Sequence, residues 1–217
     1  MNPEAGVSET GDEIAVDGLP VRPAEKIYLM MNKPRGIVTT AADEKGRETV
    51  YSFLPAEFSS ANQDGSNRAW LAPVGRLDKA SEGLLLVTND SEWAARIVSP
   101  EAHVEKTYHV QIAALADEAF GKKLMQGVRA KNGEVLHAKQ ARVLRVGEKH
   151  CWLEIVLDEG KNRQIRRMIA ALGIEVLRLM RVGIGPLQLG DLGKGESRPL
   201  SKDEKRILDR EMGRGNE

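Results

Sequence analysis

Gly75-Arg76-Leu77-Asp78-Lys79-Ala80-Ser81-Glu82-Gly83, running on into Leu84-Leu85-Leu86-Val87, sets one carboxylate in a short polar loop directly before an apolar run. Four consecutive aliphatic residues predict a strand buried on both faces, an interior strand of a covered sheet. Such a strand is a rigid platform, and loops at the ends of platforms are where site residues tend to sit. Asp78 therefore reads as a reactive acid, although an isolated turn aspartate between glycines would look the same. A second element downstream, of complementary charge, separates the two readings.

That element is Glu159-Gly160-Lys161-Asn162-Arg163-Gln164-Ile165-Arg166-Arg167-Met168-Ile169-Ala170-Ala171-Leu172-Gly173. Ile165, Met168, Ile169 and Leu172 fall at i, i+3, i+4 and i+7, the spacing of one helical face. Gly173 is placed to end the helix in a left-handed conformation. Arg163, Arg166 and Arg167 project from the side opposite the apolar stripe. A solvated amphipathic helix would have the same outline. Here, however, no acidic residue stands between Lys161 and Ile174, and arginine's planar fork suits carboxylate and phosphate better than lysine does.

The 217 residues are enough to bury a core as one moderately large domain or two small ones. The 32 basic and 32 acidic residues cancel, so bulk charge does not point to nucleic acid. Their distribution says more. Residues 1–27 carry a net −4, which leaves +4 for the remainder, clustered around the arginine helix and at Arg178 and Arg181. A local basic patch on a neutral chain can still bind RNA. The lone Cys151 lies in an apolar run and reads as a core residue, which fits a reducing cytoplasm. There is no apolar secretory signal at the N-terminus and no run approaching the ~18 apolar residues of a membrane span. His103, His109, His137 and His150 show no metal-ligand spacing, so no metal is expected.

The pattern divides into an acidic, partly disordered segment over 1–24, one domain over 25–212 and a flexible tail over 213–217. Residues 14–21 predict a short strand and turn, and Ile27 to Met31 a strand ended by Asn32-Lys33-Pro34-Arg35-Gly36. Glu48 to Leu54 predicts a short helix, and 59–68 a loop. Asn89 or Asp90 is placed to cap a helix from Trp93 to Val98. Lys106 to Ile112 alternates, with Tyr108, Val110 and Ile112 on one strand face. A helix over about 116–126, strands near 135–145 and 151–157, and a long apolar-basic segment from Val176 to Leu189 follow. Ser201-Lys202-Asp203-Glu204 is a capping box opening a last helix that stops at Gly213. Strands predominate and helices interrupt them irregularly, which indicates an α+β fold with a largely antiparallel sheet.

Taken together, these motifs resemble the RNA pseudouridine synthase family. Gly75-Arg76-Leu77-Asp78 with Gly83-Leu84-Leu85-Leu86-Val87-Thr88-Asn89-Asp90 is similar to its catalytic motif. Tyr28-Leu29-Met30-Met31-Asn32-Lys33-Pro34-Arg35-Gly36 is similar to its first motif, and Lys106-Thr107-Tyr108 to its tyrosine motif. The arginine helix and Arg181-Val182-Gly183-Ile184-Gly185-Pro186-Leu187 resemble the closing motifs of the RsuA/RluB/RluE/RluF branch. The likeness spans about residues 26–200. One departure is an N-terminal RNA-binding module of which only 12–21 resembles a remnant, as in RluE-like short forms.

The resemblance implies the family's fold, a mixed and largely antiparallel sheet flanked by helices. It also implies cofactor-independent conversion of uridine to pseudouridine in RNA extruded into the site, with ribosomal RNA, most of all large-subunit RNA, as partner and transfer RNA as the alternative. Asp78 would act at C1′, Tyr108 would stack on the uracil and take the C5 proton, and Arg166 would pair with Asp78, with Arg163 the next choice. Leu179 would pack on the other face of the base. Lys33 and Arg35 would contact phosphates, Arg76 would hold the flipped nucleotide, and Arg163, Arg167, Arg178 and Arg181 would track the RNA backbone. A monomer in the cytoplasm, without membrane attachment, is the expected setting. Two rivals remain from the residues: a ribosome-assembly factor that binds RNA without chemistry, and a glycoside hydrolase, for which Glu82 is the only nearby second carboxylate.

Overall fold

The computed structural model describes residues 15–16, 19–20, 25–40, 43–58 and 70–214. In chain order the strands are β1 (Ala15–Val16), β2 (Leu19–Pro20), β3 (Tyr28–Lys33), β4 (Ala72–Pro73), β5 (Glu82–Thr88), β6 (Lys106–Ile112) and β7 (Val128–Arg129). There follow β8 (Val135–Leu136), β9 (Gln140–Val146), β10 (Cys151–Leu157), β11 (Val176–Ile184), β12 (Leu187–Gln188) and β13 (Ser197–Pro199). The helices are α1 (Ser91–Val98), α2 (Glu118–Gln126), α3 (Gln164–Ala171) and α4 (Lys202–Arg214). The expectations for residues 1–11, for the 59–68 loop and for the chain beyond Arg214 fall outside the described residues.

The main sheet runs in the order β13-β3-β5-β11-β6-β10-β9, with β4 added to β5 and β12 to β11. Among the described strands β5 and β11 pair in parallel and the other ladders are antiparallel, with one isolated parallel bridge between Val38 and Thr49. The fold is α+β, as the irregular alternation of strands and helices predicts. All seven residues of β5 are buried, because this strand is covered on both faces. Leu84 and Leu86 pack with Met30, Trp93, Ile97, Leu208 and Met212 under α1 and α4. Leu85 and Val87 face the other way, onto Leu29, Met31, Val50, Leu71 and Leu77.

Across the sheet the covering changes sides. Val110, Ile112, Leu153 and Ile155 pack with Leu124 of α2 and Ile165, Met168 and Ile169 of α3. The register sets Tyr108 beside Arg181 and Ile155, so that cluster and the Leu85 cluster share one face of the sheet. Tyr108 packs against both, at the seam between them.

Most local signals act as their chemistry suggests. Asp90 caps α1 by accepting from the Trp93 N–H at 3.1 Å. Asn89 instead accepts from the Ile27 N–H at 2.8 Å. Gly173 is left-handed at φ 75 and closes α3. Ser201 and Glu204 satisfy each other's backbone N–H groups, the expected box. Three expectations shift. The 48–54 segment is a single turn of 3₁₀-helix over Val50–Phe53, too short for a regular helix. The last helix continues through Gly213 to Arg214.

The third shift is at Lys33, where β3 runs two residues beyond its expected end. Its side chain is 0 % exposed and its ammonium donates to the carbonyls of Pro34 (3.0 Å), Asp78 (3.3 Å) and Ser81 (2.9 Å). A phosphate has no access to it, so the expected phosphate contact is corrected: Lys33 is a buried post beneath the Asp78 loop. Burial pushes its pKa down to about 8, against the pull of Asp78 and Glu82. Between that value and the ordinary 10.5 only the unfolded chain keeps the proton, so stability rises with pH across this window. Urea unfolding of wild type and Lys33→Met across this range is expected to show an extra rise of about 3 kcal/mol in wild type alone. Lys106, also pushed down to about 8 by burial, contributes to both proteins and cancels in the comparison.

Candidate active site

Five consecutive carbonyls of the Asp78 loop are each held by a donor. Thr39 Oγ1 donates to Leu77 O at 2.8 Å, and the Gly36 N–H to Lys79 O at 2.7 Å. Lys33 donates to Asp78 O and Ser81 O, and the Ser81 N–H closes a turn onto Asp78 O at 2.9 Å. Arg166 Nη2 donates to Ala80 O at 3.0 Å. A loop satisfied in this way cannot relax without losing hydrogen bonds, so the Asp78 carboxylate stands on a fixed backbone.

The carboxylate itself is about one-third exposed and pairs with Arg163, Nη1 to Oδ2 at 3.0 Å. This corrects the expected Arg166 pairing. α3 begins at Gln164, and Arg163 precedes it with left-handed dihedrals, φ 48 and ψ 33. A non-glycine residue there costs about 1–2 kcal/mol. That conformation takes Arg163 out of the helical register that would array it with Arg166 and Arg167. The start of α3 is anchored by buried Gln164, whose Nε2 donates to His137 O at 2.9 Å. Arg166, one turn in, ties Ala80 O to Val176 O (3.4 Å) and so joins the loop to β11. Burial lowers its pKa, with Arg163 and Arg35 adding to the effect and Asp78 opposing it.

The remaining expected residues divide. Arg35 joins the cluster, its Nη1 donating to Leu177 O at 3.3 Å from an exposed position. Arg76 is exposed beside the loop. Tyr108 stands on the same sheet face, half-buried at the seam. Leu179 shares that face but is only 8 % exposed, packed in the cluster with Ile165 and Met168.

Three arginines expected to track phosphates are engaged elsewhere. Arg181 is 6 % exposed and donates from Nε to Leu84 O at 2.7 Å, because β5 and β11 approach closely at Gly83. A Cβ on Gly83 would lie 2.2 Å from Arg181 O, which leaves that position to glycine. Arg181 is thus a strut between strands. Arg167 turns toward β7 and β8, pairing with Glu134 and donating to Asn132 Oδ1 at 3.1 Å. Arg178 points from the opposite face of the sheet and pairs with Glu82. Sequence reasoning missed Thr39 as a support of the loop; it lies three residues past Gly36 with no motif to mark it.

Arg163 thus pairs with the Asp78 carboxylate, Arg166 lies within reach of its charge with Arg35 close to Arg166, and the Lys33 ammonium is below. The surplus positive charge suits a polyanion, and the carboxylate is the one group there able to act as nucleophile or base. Among the described residues no group of three or more His, Cys, Asp or Glu could hold a metal ion, and no helix is long and apolar enough to cross a membrane.

Comparison with known proteins identifies the family. Residues 27–171 match the family model of RNA pseudouridylate synthase. Over 208 residues the chain is 36% identical to ribosomal large subunit pseudouridine synthase B of Bacillus subtilis (strain 168), covering 94% of this chain and 81% of that one. It is 34% identical over 191 residues to ribosomal large subunit pseudouridine synthase E of Vibrio vulnificus (strain CMCP6), covering 82% and 76%. A solved pseudouridylate synthase superposes with a TM-score of 0.70 at 33% identity, over 94% of this chain and 83% of that one. The chain belongs to the RNA pseudouridylate synthase family, in its RsuA/RluB/RluE branch, and is an RNA-modifying isomerase.

Proposed function

We propose that this protein isomerises a specific uridine of large-subunit ribosomal RNA to pseudouridine, with Asp78 as the acting carboxylate. The observation that carries the reading is the Asp78–Arg163 pair on a loop whose five carbonyls, Leu77 to Ser81, are each held by a donor. The substrate class is supported by the names of the relatives from B. subtilis and V. vulnificus, both large-subunit synthases.

A stacked uridine hides C1′ and C5, so the nucleotide is extruded into the site before reaction. The N1–C1′ bond then breaks with its electron pair leaving on the uracil N1, while the Asp78 carboxylate either bonds to C1′ or removes the C2′ proton, and Asp78 gives back what it took when C5 bonds to C1′. The freed uracil rotates against Tyr108, held by stacking while C5 comes to C1′. The new C5–C1′ bond forms, C5 loses its proton toward Tyr108, and N1 gains one, so atoms balance with no co-reactant. Arg163 holds the Asp78 carboxylate in place through their ion pair. Arg35 and Arg76, both exposed, meet the flanking phosphates, and Arg166 holds the loop against β11.

Release of tritium from RNA labelled at uridine C5 measures the reaction. Wild type is expected to release label from large-subunit ribosomal RNA, and Asp78→Asn to fall by at least about 10²–10⁴-fold with RNA affinity retained. Equal release by Asp78→Asn overturns the assignment; release from transfer RNA alone overturns the substrate. Arg163→Ala is expected to lower kcat by about 10²-fold with little change in urea midpoint. Arg166→Ala is expected to lower both, losing about 1–3 kcal/mol of stability as Ala80 O and Val176 O lose their donor.

A further inference from the structure

The sheet face opposite Tyr108 is covered only along half its width. α1 and α4 pack on Met30, Leu84 and Leu86, but no helix among the described residues packs on the same face of β6, β10 and β9. Cross-strand pairing lays a row of side chains there: Arg145 beside Trp152, Trp152 beside Gln111, and Gln111 beside Arg178. The Arg145 and Arg178 guanidinium carbons lie 5.9 Å and 5.8 Å from the Trp152 ring centroid. A depression of about 410 Å³ opens beside the ring, lined by Gln111, Arg145 and the exposed Glu148, Lys149 and His150 of the β9–β10 turn. Neither Arg145 nor Lys149 has a carboxylate partner among the described residues.

The position of this row matters as much as its chemistry. Ile112, at the end of β6, pairs with both Cys151 and Val176, so the starts of β10 and β11 share one rim of the sheet. β5 runs parallel to β11 with Glu82 beside Met180, which places the Asp78 loop at that same rim. Arg178 straddles it, pairing with Glu82 only four residues from Asp78. A strand whose target nucleotide occupies the Asp78 face can therefore fold over the rim onto Trp152.

We propose that this open face is a second RNA-binding surface, where the Trp152 indole stacks an unpaired base of the substrate strand and Arg145 and Lys149 hold its phosphates, with Arg178 kept on Glu82 at the edge of the ring. The inference rests on the reading of RNA as substrate and adds a subsite to it. An arginine over the ring occupies the position a base would take, and on entry of the base it is freed for a phosphate. Basic side chains alternating with an aromatic on an open sheet are the elements that hold single strands by stacking and charge. Duplex RNA offers no exposed base plane to the indole, so the surface selects unpaired segments beside the target.

The test is binding of a single-stranded RNA of about 12 nucleotides, followed by fluorescence anisotropy, with the full chain in the Asp78→Asn background. Turnover then plays no part, and failure of the isomerase reading, seen in tritium release by wild type, stays separate. Trp152→Ala is expected to weaken binding about 5- to 150-fold, as loss of one stacked base implies, with Trp152→Phe within about threefold of the parent. Arg145→Glu, at an exposed position outside the core, is expected to weaken binding and flatten its salt dependence by about one unit of slope. Unchanged affinity in both Trp152→Ala and Arg145→Glu overturns the proposal, and is also the result if the face docks a protein instead. Equal loss in Trp152→Phe and Trp152→Ala overturns the stacking role.

Discussion

The constraint on which the site depends is the need of five consecutive loop carbonyls, Leu77 to Ser81, for hydrogen-bond donors. They are met from β3, from the turn after it, from α3 and from the loop itself. A buried ammonium is the strongest of these donors and the costliest to bury, which is why Lys33 sits so far below its ordinary pKa. The fold accepts that cost at one point and gains a backbone that cannot drift under the carboxylate. Catalytic groups lose efficiency when displaced by about 1 Å, so rigidity of this kind bears directly on rate.

The sheet distributes its covering unequally, and that distribution makes the site. Helices α1 and α4 take one face at one end, and α2 and α3 take the other face at the other end. Between α3 and the Leu77 cluster a seam is left on one face, filled by Tyr108. The parallel pair, β5 with β11, brings the Asp78 loop and Arg178 to one rim. Bulges in β11 on either side of Leu179 and Arg181 let that strand follow both β5 and β6.

Their partners then divide the arginines. Arg163 pairs with Asp78, with Arg166 within reach of its charge and Arg35 close to Arg166. Arg181, which is buried, and Arg167, half-buried like Arg166, hold strands or a neighbouring hairpin together. In a sequence all five are equivalent cations. Only the contacts made across the chain distinguish a guanidinium beside Asp78 from one that ties strands together, because the same donors serve both purposes.

Local chemistry was sufficient for much of this protein. The continuous aliphatic run Leu84–Val87 required an interior strand, the 3.6-residue spacing of Ile165, Met168 and Ile169 required a buried helix face, and Gly173 and Ser201 marked helix ends. Each of these depends on neighbours within one turn or one strand, so the residues alone determined them, along with the family to which their motifs point. The tertiary structure decided what depends on contacts across the chain. It placed Arg163 rather than Arg166 on Asp78, because one left-handed residue before α3 redirects a side chain. It buried Lys33 and Arg181 beneath residues 45 to 97 positions away, and it left Trp152 on an open face. Periodicity fixes which face of an element a residue occupies, but only packing determines whether that face meets protein or solvent.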